Sequence, residues 1–313
     1  MPWTPRSSAP AASPAPPVHG PAVAEARPGT GRPDPAALGA LLASVKCVLF
    51  DFDGPVCDLF ARHPAPDVAD TMRARLRRLR PAARPAPVTA AAAGASGSAG
   101  GSPGTAHGTP GSGLPGVPDV PATRDPHALL HTLAFGAGAP GGPDDPSGPA
   151  ARSGIVAELE RLLAAEEVRA AASAEPTPYA DELVQRLHAT GHALAVTTNN
   201  TAGAAEAYLE RRGLAELFRP HIHGRVTEPW LLKPDPDCLH RALRSTGHDA
   251  AMALMIGDST ADLLAARAAG VRFLGYARDE TRRRRLRDAG AESVVTSLGD
   301  VLAALPERRQ SAG

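Results

Sequence analysis

From residue 179 onward the chain alternates short apolar runs with helical patterns, and this alternation restricts the fold more than any other feature. Helical periodicity at 179–190 gives way to a strand pattern at 192–198, a helix at 202–212, a short strand at 220–223 and a helix at 236–247. A strand at 251–256, a helix at 260–269, a strand at 271–276, a helix at 279–289, a strand at 292–295 and a terminal helix complete the series. Strands that are apolar on both faces must be covered on both faces, and intervening helices supply the crossovers that parallel strands need. The expected fold is therefore α/β, a parallel sheet with helices on both faces. An earlier apolar run at 46–51, preceded by a helix at 35–44, supplies its first strand.

The stretch between that strand and the alternating half is different. Residues 56–177 carry helical patterns at 66–79, 125–135 and 155–168, broken by Gly/Pro-rich segments, and read as an inserted helical domain. Residues 1–34 and 81–122 are Ala, Gly, Ser and Pro with almost no large apolar side chain. Such segments cannot bury enough surface to offset their ordering entropy, so both are expected to be disordered. The α/β domain is expected from 35–55 and 178–306.

Composition excludes some functions. The 33 basic and 33 acidic residues cancel, leaving no field to recruit nucleic acid or an anionic membrane. No apolar run approaches the ~20 residues of a membrane span, and the start lacks a signal-peptide pattern. Three cysteines without Cys-x-x-Cys spacing suit reduced thiols in a cytoplasm. The expected partner is a small molecule, with no nucleic acid, membrane or protein partner. The arginines at 73–80 and the run Arg282 to Arg285 read as solvated helix faces, and His221 and His223 as structural.

In open parallel sheets ligands bind beyond the carboxyl ends of the strands. Three strands here end in polar residues: Asp51-Phe52-Asp53-Gly54, Thr198-Asn199-Asn200, and Gly257-Asp258 with Asp262 beyond. Lys233, one of only two lysines, stands just before a helix. Read singly, Asp258 and Asp262 are helix-capping acids, Thr198 an N-cap and Lys233 a turn residue. Read together, they place four carboxylates and one ammonium around one crevice. That excess of negative charge calls for a hard divalent cation, and an all-oxygen donor set suits magnesium.

In this order and on these elements, Asp51-Phe52-Asp53-Gly54, Thr198-Asn199, Lys233 and Gly257-Asp258-x-x-x-Asp262 resemble the four motifs of the haloacid dehalogenase-like hydrolases. The resemblance runs over about 45–276, outside the low-complexity insert, and lies nearest the phosphoglycolate phosphatase branch. It implies a Rossmann-like core with an inserted α-helical cap domain and a magnesium-dependent phosphatase acting on a small phosphomonoester. It also implies that Asp51 is the nucleophile and forms an aspartyl-phosphate, and that Asp53 is the general acid and base. Thr198, Asn199 and Lys233 would bind phosphate; Asp51, Asp53 and Asp258 would hold Mg2+; Asp262 would support the metal water or Lys233. Asp53 argues against haloacid cleavage, which needs no proton donor. The lack of lysine between Lys46 and Lys233 excludes Schiff-base phosphonate cleavage. A β-phosphoglucomutase-like phosphomutase and a non-catalytic binding protein on the same scaffold are the alternatives. Pro55 departs from the family pattern after the glycine.

Overall fold

The computed structural model describes residues 34–79, 123–135, 149–228 and 231–306. Apart from Asp34, the expected disordered segments 1–34 and 81–122 lie outside the described residues. In chain order the elements are α1 (Pro35–Ala43), β1 (Cys47–Phe50), β2 (Cys57–Asp58), α2 (Ala65–Leu79), α3 (Pro126–Phe135), α4 (Pro149–Ser173) and β3 (Glu175–Pro176). The alternating half follows with α5 (Ala180–Ala189), β4 (Ala193–Thr197), α6 (Ala202–Arg212), α7 (Ala215–Phe218), β5 (Ile222–His223) and α8 (Asp237–Thr246). It closes with β6 (Ala253–Gly257), α9 (Thr260–Ala268), β7 (Arg272–Tyr276), α10 (Glu280–Asp288), β8 (Val294–Val295) and α11 (Leu298–Ala304).

Six strands form one sheet in the order β5-β4-β1-β6-β7-β8, with every neighbouring pair parallel. Along β1 the side chains divide between two cores, as a period of two requires. Val48 and Phe50 join Leu42 of α1, Leu187 of α5, Tyr208 of α6 and Val301 of α11. Cys47 and Leu49 join Leu239 of α8 and Ala265 of α9 on the opposite face. Burial on both faces is why β1, β4 and β6 read as unbroken apolar runs.

Between β1 and β4 the inserted helices build a core of their own. Val68, Met72 and Leu76 recur every fourth residue on α2 and meet Leu129, Leu130 and Leu133 of α3 and Leu159 and Leu163 of α4. Helix α4 has 25 residues and so runs about 37 Å; its later Ala170 and Ala171 belong to the sheet's core. Phe60 packs against both cores. Strands β2 and β3 pair antiparallel, Cys57 opposite Pro176 and Asp58 opposite Glu175, so the two chain crossings run side by side. The sequence reading of 56–177 as wholly helical misses this pair, because two-residue strands have no readable period and their partners are remote in sequence.

Candidate active site

Phe50 of β1 pairs with Val196 of β4 and with Ile256 of β6, so Asp51, Thr198 and Asp258 all fall just past the paired residues at one edge of the sheet. Adjacent parallel strands make this convergence unavoidable. Two glycines allow the approach to be close. Gly54 has φ 114°, and a Cβ there would lie 2.5 Å from the Asp258 carboxyl carbon. A Cβ on Gly257 would lie 2.6 Å from that of Asp262. Both positions are closed to any side chain.

Lys233 ties the strands together. Its buried Nζ donates to Asp51 Oδ1 at 2.9 Å, Asp262 Oδ1 at 2.5 Å and the Thr197 carbonyl at 3.0 Å. Asp51 Oδ1 also accepts from the Phe52 N–H. Asp262 Oδ2 accepts from the N–H of Asp258 and of Ser259 and from the Ser259 hydroxyl, which completes a capping box on α9. The capping role expected of Asp262 and its expected contact with Lys233 thus use different oxygens. Asp53 Oδ1 accepts from the Leu59 N–H at 2.9 Å.

The charges do not balance. Oxygens of Asp51, Asp258 and Asp262 lie within 4.8 Å of one another, the one metal-competent cluster among the described residues. Burial, then Asp262, push the Asp51 carboxyl up to about 7 although Lys233 opposes the shift. Burial together with Asp51 and Asp262 takes Asp258 to about 8 against the pull of Arg282. Burial also raises Asp53. For Lys233, burial favours loss of the proton, but Asp262 and Asp51 hold the ammonium well above its ordinary range. With both Asp262 oxygens engaged, the carboxylates of Asp51 and Asp258 are left as a small, hard donor set. This fits a cation that takes one or two carboxylates and keeps water, as magnesium does.

The expected phosphate loop is braced from beneath. Thr198 is buried; its hydroxyl donates to Asn200 Oδ1 at 3.0 Å and accepts from the Asn200 N–H. The Asn199 side chain holds the Lys233 main chain at both its N–H and its carbonyl. Below lie two residues that the sequence reading passed over. Glu167 of α4 accepts from the Thr201 N–H at 2.7 Å, from Asn200 Nδ2 and from Arg225, while Arg225 also donates to the Asn199 carbonyl at 2.6 Å. A signal for Glu167 was present: Leu159, Leu163, Glu167 and Ala171 form one buried stripe at four-residue spacing, and a carboxylate on such a stripe needs a partner.

The arginine run is not a uniformly solvated face. Arg283 and Arg284 pair with Glu280, but Arg282 reaches into the site and pairs with Asp258. His221 and His223 both hydrogen-bond the Ser245 hydroxyl, in keeping with a structural role. All three cysteines are free and buried.

Residues 45–270 match the model of the haloacid dehalogenase-like hydrolase family. A phosphoglycolate phosphatase of Rhodospirillum rubrum is 38% identical over 181 residues, covering 56% of this chain and 70% of that protein. One from Mesorhizobium japonicum is 38% identical over 96 residues, covering 31% of this chain and 41% of its own length. In fold the chain is similar to a protein described as a predicted phosphatase from Clostridium acetobutylicum, with TM-score 0.52 at 16% identity over 82% of this chain and 96% of that one. CbbY from Rhodobacter sphaeroides in complex with phosphate gives TM-score 0.51 at 20% identity over 83% and 99% of the two chains. The family match covers most of the chain and contains all the converging residues, and the chain is a member of the haloacid dehalogenase-like hydrolases.

Proposed function

We propose that the protein is a magnesium-dependent phosphatase that hydrolyses a small phosphomonoester through an aspartyl-phosphate on Asp51. The observation that carries this reading is the meeting of Asp51, Asp258 and Asp262 around Lys233 with negative charge left over. Asp51, Asp258 and the Asp53 carbonyl would hold Mg2+, which when bound supplies charge neutralisation for an incoming phosphate.

Asp51 Oδ2 attacks phosphorus and the bond to the substrate oxygen breaks. Asp53, whose carboxyl is raised by burial, gives a proton to the leaving oxygen. Water then attacks the aspartyl-phosphate, Asp53 takes its proton, and inorganic phosphate leaves with the Asp51 carboxylate regenerated. Thr198, the Asn199 N–H and Lys233 hold the phosphoryl oxygens as charge moves among them. Asp262 keeps Lys233 in place.

The helices α2–α4 within 56–177 serve as a lid that excludes water, a reading supported by their separate core and by the paired crossings β2 and β3. Among the described residues no helix is long and apolar enough to cross a membrane. We place the enzyme in the reducing cytoplasm, where its three free thiols are stable.

Two measurements test the proposal. Acid-quenched single turnover with a radiolabelled phosphomonoester should leave label on Asp51, and none if the intermediate is wrong. Mg2+ at 100 times its dissociation constant should stabilise the fold by about 2.7 kcal/mol, and Asp258→Asn should abolish that gain. Equal stabilisation of both proteins would remove Asp258 from the metal site.

A further inference from the structure

The cleft that opens onto Asp53 and Asp258 has a volume of about 510 Å³ and is walled on one side by Arg278, Arg282 and Arg285. Arg282 and Arg285 are three apart on α10, which puts them on one face of the helix, and Arg278 precedes that helix by two residues. The other two arginines of the run are spent on Glu280. Arg278 pairs with Asp58 at 2.6 Å and Arg282 with Asp258. Arg285 lines the cleft, is exposed, and has no carboxylate partner among the described residues. One helix face thus presents a guanidinium without a counter-charge, beside two guanidiniums that each keep further N–H donors, at the mouth of a cleft sized for a small molecule.

We propose that this arginine face is a substrate subsite: it binds a second anionic group, a carboxylate or a second phosphate, at the end of the substrate remote from the scissile phosphoryl. Arg285 is its principal ligand and Arg278 its support. A planar guanidinium fork matches both anions, and pairing with a charged group is stronger than pairing with a hydroxyl. Selection of the substrate's far end then resides in a helix of the α/β domain rather than in α2–α4. The inference rests on the phosphatase reading above, and the test separates the two.

The test uses the full chain with Mg2+ and three probes of matched length: 3-phosphoglycerate ending in a carboxylate, 1,3-propanediol bisphosphate ending in a phosphate, and glycerol 3-phosphate ending in a hydroxyl. Wild-type kcat/KM should favour one or both anionic probes over the hydroxyl probe by about tenfold or more. Arg285→Gln should collapse that ratio, chiefly through KM, and Arg285→Lys should restore part of it. Which anionic probe loses more identifies carboxylate or phosphate. Arg285 is exposed, so its variants should fold. Equal wild-type rates on all three probes, or a uniform loss on all three in Arg285→Gln, would overturn the subsite. If wild type turned over no phosphoester, the phosphatase reading would fail, and calorimetry would decide the subsite alone. Binding of 3-phosphonopropionate that Arg285→Gln weakens by about tenfold would support it, and unchanged binding would overturn it.

Discussion

Two buried ionic clusters lie at the sheet's carboxyl edge, and the chain treats them oppositely. The Asp51, Asp258 and Asp262 carboxylates outnumber the Lys233 ammonium and the Arg282 guanidinium beside them, and burial with mutual repulsion drives Asp51 to about 7 and Asp258 to about 8. Around Arg225, the Glu160 and Glu167 carboxylates meet a guanidinium and the His127 imidazole. There burial alone would raise Glu167, but Arg225 and His127 reverse the effect and hold it at about 2. The second cluster is neutralised from within the chain and needs nothing more. The first is left short of positive charge, as a site that receives a cation must be.

The sharpest test is removal of one carboxylate from the first cluster. Asp51→Asn deletes the proposed nucleophile and should reduce phosphate release by ~10⁴-fold or more, measured by steady-state assay. It should leave the melting temperature unchanged or raise it, because it relieves repulsion. Retained turnover would end the aspartyl-phosphate mechanism. Asp53→Asn keeps the proposed nucleophile and loses the proposed proton relay, so turnover should fall by ~10² to 10⁴, with the least loss on substrates whose leaving group needs no proton. An equal loss on good and poor leaving groups would take the acid role away from Asp53.

Glu167→Gln should behave in the opposite way. It leaves Arg225 with Glu160 alone and takes away the Glu167 partner of His127, so the fold should lose ~3 kcal/mol in a urea titration. Turnover should fall less than in Asp53→Asn, through a looser Asn200-Thr201 turn under Thr198. If Asp51→Asn and Glu167→Gln cost equal stability, the contrast between the clusters would be false.

The two clusters also differ in how far the sequence discloses them. Asp51, Asp258 and Lys233 are legible because each ends or follows an apolar strand, and a parallel sheet has one carboxyl edge on which they must meet. The alternating half is legible for the same reason, down to the exact span Ala202–Arg212. Arg225 stands in a loop with no periodic neighbour, and its partners come from a helix that precedes it by some 60 residues. Only the fold brings them together. Arg282 and Arg285 fail differently: a run of like charges looks uniform in sequence, while helical rotation sends its two middle members, Arg283 and Arg284, to Glu280 and its two outer ones to the cleft. Chain segments as short as β2 and β3 carry no pattern at all.

The smallest effect concerns pH and is assigned to the balanced cluster by difference, because Asp51 and Asp258 also titrate near neutrality or above it. Burial by itself would lower the His127 imidazole, but hydrogen bonds to Asp125 and Glu167 raise it to about 9 from an ordinary 6.5, with Arg225 opposing. A raised imidazole stabilises the fold fully below about 6.5, and that contribution is lost as pH rises through about 9. Glu167 works from the other side: its contribution is present above about 4.5 and fades as pH falls through about 2. Between these limits the cluster should give a plateau. Unfolding free energies from urea titrations should then fall from pH 6.5 to 9 by on the order of 2 kcal/mol more in the wild type than in His127→Gln, which should also lower the plateau itself. An alkaline decline of the same size in His127→Gln would place the titration on another group, and the balanced cluster would lose its claim to be set by its own charges.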